Sequence, residues 1–245
     1  MHEETKARPG QDKPDFDSLI ADLFGLNVRG AKTLYHLFAF PKRVFESARV
    51  YDWQSQYTPT MRLAFSILTV FSLLSFFWAA EDGVLYQTLL AQFSEAFADD
   101  PDAPDVNLMI DAMFAGYNFI YPFAYMIIHA LVASLVFIWG KGTSWVARIR
   151  LYFSVASAGI AISVASILFM PLVNIELVWI ASSIGMALSF LAYIIIYARG
   201  MAGNYSTAGL MWRAFSIANI VVIADLTVAI VAGTGGSMWA NMQVA

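Results

Sequence analysis

MFAGYNFIYPFAYMIIHALVASLVFIW, residues 113–139, contains no Asp, Glu, Lys or Arg. A helix rising about 1.5 Å per residue carries such a run across about 30 Å of hydrocarbon. Working outward, four more apolar stretches meet the same requirement: 61–80, 151–173, 177–198 and 214–232. A helix satisfies its own backbone hydrogen bonds in lipid. The expected fold is therefore all-α integral membrane, with about five transmembrane helices.

Composition agrees. The chain of 245 residues is 59% hydrophobic and 13% charged, roughly half the charge of an ordinary soluble domain. It has no cysteine, which rules out disulfides, thiolate metal sites, Fe–S clusters and cysteine nucleophiles. The net charge of −4 matters less than its distribution. Of 14 Lys and Arg, most precede or just enter the first span. Lys141, Arg148 and Arg150 lie between the second and third spans, and Arg199 and Arg213 flank the fourth-to-fifth loop. The alternate loops carry none, and the one at 81–112 is acidic. By the positive-inside rule the N-terminus is expected in the cytoplasm and the C-terminus on the opposite side, with a bacterial cytoplasmic membrane as the expected location. No long apolar run precedes Met61, so the first span is expected to act as an uncleaved signal anchor.

The polar residues 1–14 read as a flexible tail, and 15–60 as cytoplasmic amphipathic helices leading into the membrane domain, 61–245. Phe16, Leu19, Ile20, Leu23 and Phe24 recur at helical spacing, with Asp15 or Asp17 to cap them and Gly25 to end them. From Ala31 to Trp53, Pro41 divides two short helices. Lys32, Lys42, Arg43 and Arg49 oppose an apolar side there, which suits an anionic membrane surface and equally suits packing on the ends of the bundle. In the outer loop, Val84, Leu85, Leu89, Phe93 and Phe97 predict a short surface helix, ended by the Asp- and Pro-rich stretch after Ala98. Those carboxylates lack EF-hand spacing and its glycine, so no metal site is expected. The link holding Pro171, Asn174 and Glu176 predicts a tight hairpin, and Gly-Thr-Gly-Gly-Ser at 233–237 a flexible exit.

An ionisable group inside a span is costly and needs an account. His129 lies about ten residues from Trp139, and Asp225 about eleven from Ala214, so both sit about 15–17 Å from the same face. They are candidates for an intramembrane polar pair. One reading is a proton relay, the other a polar contact that fixes helix packing. His129 is also a candidate ligand for haem or a chlorin magnesium. The aromatic start of the second span, Phe114 to Tyr125, offers a surface for lipid, carotenoid or quinone. Small residues crowd the third span, and Ala181, Gly185 and Ser189 repeat every fourth position in the fourth, which permits close helix contact or a subunit interface. No phosphate-binding loop, dinucleotide turn or hydrolase motif is present, and no catalytic set stands out.

The segment FAFPKRVFESARVYDWQSQYTPTMRLAFSILTVFSLLSFFW, Phe38–Trp78, resembles Yip1-type five-span membrane domains. It is also similar to an uncharacterised bacterial membrane family whose N-terminal zinc ribbon is absent here. The Yip1-type resemblance implies a non-enzymatic role in membrane organisation. The leading expectation is an accessory or scaffolding subunit of a larger membrane complex, with lipids and other membrane subunits as partners and no nucleic acid. The alternatives are a small proton-coupled transporter or channel using Asp225 and His129, and a pigment- or haem-binding subunit through His129.

Overall fold

The computed structural model describes residues 28–50, 56–98, 104–169 and 172–244. The expected tail, the helix expected from Asp15 and most of the Asp- and Pro-rich stretch lie outside the described residues. Eight α-helices follow in order among them: α1 (Val28–Ala39), α2 (Pro41–Ala48), α3 (Thr60–Trp78), α4 (Val84–Ala96), α5 (Val106–Leu135), α6 (Trp145–Phe169), α7 (Val178–Gly200) and α8 (Thr207–Val244). A 3₁₀ turn at Ile175–Leu177 joins α6 to α7. No strand occurs among the described residues. Helices α5 to α8 are each long and apolar enough to cross a membrane, and α3 contributes a shorter apolar stretch, Thr60–Leu74. Their outer faces expose Leu131, Ile184, Ile223 and Ile230, the side chains that lipid rather than water accommodates.

Helix α6 is the axis. Every residue from Leu151 to Ile160 is buried, against α3, α5 and α7. A helix buried all round cannot carry a polar face, and this one uses small residues. Its hydroxyls are satisfied by backbone: Ser154 donates to the Arg150 carbonyl at 2.8 Å and Ser157 to that of Thr60 at 3.4 Å.

The most extensive contact joins α5 to α8, and glycine makes it close. A β-carbon at Gly236 would lie 2.7 Å from the Met113 carbonyl oxygen, and one at Gly116 would lie 2.8 Å from Trp239 Cβ. Helix α8 therefore runs unbroken through 233–237, where the sequence alone predicts a flexible exit. The glycines serve packing in lipid, where close van der Waals approach replaces hydrophobic association. Helix α5 also starts earlier than expected, at Val106. The Asp105 carboxylate caps it by accepting from the Asn107 and Leu108 amides. Its first turns pack Ile110 and Phe114 on Tyr86 of α4.

Helices α1 and α2 dock on the end of the bundle where α7 turns into α8. The Phe45 ring covers Gly200 and meets Trp139 edge-on at 6.2 Å. Arg199 donates to the Phe38 and Ala39 carbonyls at 2.8 and 2.7 Å, and Arg150 to that of Val50 at 3.1 Å. These carbonyls end α1 and follow α2, where helix geometry leaves acceptors free and a cation is favoured. Arg49 reaches back to the Trp139 carbonyl at 3.1 Å. Lys32, Lys42 and Arg43 stay exposed.

Candidate functional site

His129 and Asp225 come together in the interior. Nε2 of His129 lies 3.2 Å from Oδ1 of Asp225. The ring N–H does not aim at that oxygen, so the approach is an ion-pair distance without hydrogen-bond geometry. The Tyr152 hydroxyl of α6 is 3.0 Å from Nδ1 of His129, and the Tyr193 hydroxyl of α7 donates to Oδ2 of Asp225 at 3.0 Å. A hydroxyl donating to Nδ1 leaves the ring proton on Nε2, facing the carboxylate. That tautomer, assigned from its partners, serves Nδ1 and leaves the Nε2 proton beside the carboxylate without a formed hydrogen bond. Tyr125 stacks on the imidazole, with centroids 3.8 Å apart and planes 11° apart.

The packing explains this convergence. Gly159 leaves room for the Tyr193 ring, which a β-carbon there would strike. The buried half of α6 presents Tyr152 from the axis. A chain Tyr152–His129–Asp225–Tyr193 thus links α6, α5, α8 and α7.

The chain is closed on one side and open on the other. His129 is fully buried, whereas Asp225 keeps 32% of its side chain exposed. That exposed part faces a cavity of about 320 Å³ between α5, α6, α7 and α8. The cavity extends toward the α6–α7 connection, past Tyr121 and Tyr117 on one wall and Ser166, Ser182 and Gly185 on another. The small residues of α6 and α7 thus line a cavity in this half. In the opposite half Trp139, Tyr197 and Phe45 pack without exposure above 1%. There the Ile138 carbonyl accepts from Tyr197, Tyr205 and Arg213 at 2.8, 3.2 and 3.2 Å.

This arrangement can hold and pass a proton. Imidazole binds one at either nitrogen, and the carboxylate is reachable from the cavity. It offers no open coordination position at His129 for haem or chlorin, since both nitrogens face partners and a ring covers one face. Among the described residues no cluster of three or more His, Asp or Glu could hold a metal ion. Sequence reasoning singled out His129 and Asp225, placed Tyr125 in an aromatic surface for lipid, carotenoid or quinone rather than beside His129, and did not single out Tyr152 or Tyr193. Their signal was available: a tyrosine placed within a span, away from the interfaces, needs a partner for its hydroxyl.

The chain matches no family model, no curated protein and no solved structure.

Proposed function

We propose that this chain is a five-span membrane protein, its N-terminus cytoplasmic, that carries out proton-coupled transport through Asp225 and His129. One observation carries the reading: a Tyr–His–Asp–Tyr chain whose carboxylate, 32% exposed, opens on a cavity. A contact that only fixed helix packing would not need an opening at its charged end. The alternation of basic residues supports five spans and makes the cavity half the non-cytoplasmic half. The 19 residues of α3 support reading it as a fifth span, in keeping with what the Yip1-type resemblance implies.

The test is a pH jump on proteoliposomes adsorbed to a solid-supported membrane. Wild-type protein gives a charge movement, transient for proton binding and sustained for turnover, and Asp225→Asn abolishes it. A wild-type signal equal to that of empty liposomes, or one unchanged by the substitution, overturns the proposal.

A second reading, an accessory subunit, is favoured by the exposed Tyr35, Phe38, Phe40 and Val50 beside Lys42 and Arg43 on the docked α1–α2 pair. Purification in mild detergent with mass measurement tests it. A lone monodisperse chain counts against it.

A further inference from the structure

Two polar residues, Tyr125 and Asp225, stand at the floor of the cavity. Tyr125 lines the cavity, and its hydroxyl is buried and has no hydrogen-bond partner. Asp225 offers a carboxylate there with 32% of its side chain exposed. A buried hydroxyl without a partner is unfavourable and calls for an explanation. Beside a carboxylate, a bound molecule supplies one.

The walls narrow the class of that molecule. Phe71 stacks on Tyr121, and Tyr121 on Tyr117, each at 5.2 Å between centroids. Among the described residues, no lysine or arginine lines the cavity. Aromatic faces and a carboxylate both attract a cation. A bare metal ion requires several oxygen ligands, and this floor presents one carboxylate. A cavity of about 320 Å³ is of the size that encloses a small organic molecule.

We infer that the cavity binds a lipophilic organic cation: a primary ammonium, held between Asp225 and the Tyr125 hydroxyl, on an apolar body lying along Tyr121 and Tyr117. This inference rests on the proton-coupled reading and names its cargo. The ammonium donates one N–H to the carboxylate and one to Tyr125 Oη, which ends that hydroxyl's isolation. Proton and ammonium neutralise the same carboxylate, so the site holds one positive charge at a time. The titratable groups facing Asp225 are His129, Tyr121 and Tyr125 from α5, Tyr152 from α6 and Tyr193 from α7. Of these only His129 gains a positive charge, and a proton there displaces the ammonium. By linkage the ammonium displaces the proton to the same extent. Exchange of one for the other is the resulting coupling.

The experiment is equilibrium dialysis of phenylbutylammonium, cationic throughout the range used, against the purified full chain. Wild type binds it at about pH 8, and the affinity falls by up to about tenfold per pH unit on acidification. Asp225→Asn abolishes binding, and Tyr125→Phe weakens it roughly tenfold, as expected for a lost hydrogen bond to a charged group. Ser182→Trp leaves Asp225 intact, fills the cavity wall and weakens binding at least about tenfold, so the result does not depend on the folding of the Asp225 variant. No wild-type binding, or binding indifferent to pH and to Ser182→Trp, overturns the inference. Charge movement in the pH jump without phenylbutylammonium binding removes the cargo class alone. Binding without charge movement removes the transport reading instead.

Discussion

One imidazole joins three helices: His129 of α5 stands 3.2 Å from Asp225 of α8 through Nε2 and 3.0 Å from Tyr152 of α6 through Nδ1. Each nitrogen faces a group that can give or take a proton. The carboxylate end of this chain meets the cavity and the Tyr152 end meets the packed core. On the proposed reading, proton exchange enters at Asp225.

Tyr193→Phe removes the donor to Oδ2 of Asp225 and leaves a part-buried carboxylate one hydrogen bond short. The expected cost is about 1–3 kcal/mol. It is read as a lower thermal midpoint in detergent together with a weaker pH-jump signal. An unchanged midpoint and signal would show the bond to be idle.

Two glycines three positions apart in α8 separate packing from propensity. Nothing lies near a β-carbon built at Gly233, whereas one at Gly236 meets the Met113 carbonyl. Gly233→Ala should stabilise by up to about 1 kcal/mol, as helix propensity dictates. Gly236→Ala should destabilise by about 1–3 kcal/mol through overpacking. Thermal midpoints of the two variants should move in opposite directions; movement in the same direction contradicts the close α5–α8 contact.

Arg199 holds the end of α1 through two carbonyls. Arg199→Ala should speed hydrogen exchange in α1 while α5 and α8 stay protected. Arg199→Lys should restore only part of the protection, because an ammonium lacks the planar fork that reaches both acceptors. Equal exchange in all three proteins would mean that α1 docks without it.

His36 gives the α1 contact a pH dependence. Burial lowers its pKa below the ordinary 6.5, and Lys32 and Arg43 lower it further. Nδ1 of His36 lies 2.8 Å from the Tyr57 hydroxyl, a contact whose donor depends on the ring's tautomer. The folded state prefers the neutral ring, so the unfolded chain binds the proton more readily. The stabilisation is complete above about pH 6.5 and is lost as the pH falls through the lowered folded value. Hydrogen exchange in α1, corrected for its intrinsic pH dependence, should rise across that window in wild type and stay flat in His36→Asn.

The long apolar helices were legible because α5 to α8 carry almost no charge through their middles. His129 and Asp225 were legible because ionisable groups are rare at that depth and these two shared it. The rest depended on packing that no single helix reveals. Tyr125 read as part of an aromatic ligand surface, and Tyr152 and Tyr193 as ordinary aromatics of a membrane protein, whereas packing around Gly159 and the α6 axis turns them inward. Residues 233–237 read as a loop because glycine in water frees the chain, whereas glycine between two helices lets them touch. Arg150 and Arg199 read as topology markers, and their work as caps on α1 and α2 depends on docking across 100 and 161 residues of chain.

Infrared difference spectroscopy of the lipid-embedded protein between acid and alkaline buffer tests proton exchange at Asp225 most directly. The wild type should show paired changes in a buried carboxyl band and in imidazole bands, and Asp225→Asn should lose both together. Identical difference spectra from wild type and Asp225→Asn would contradict a proton-exchanging pair at this site.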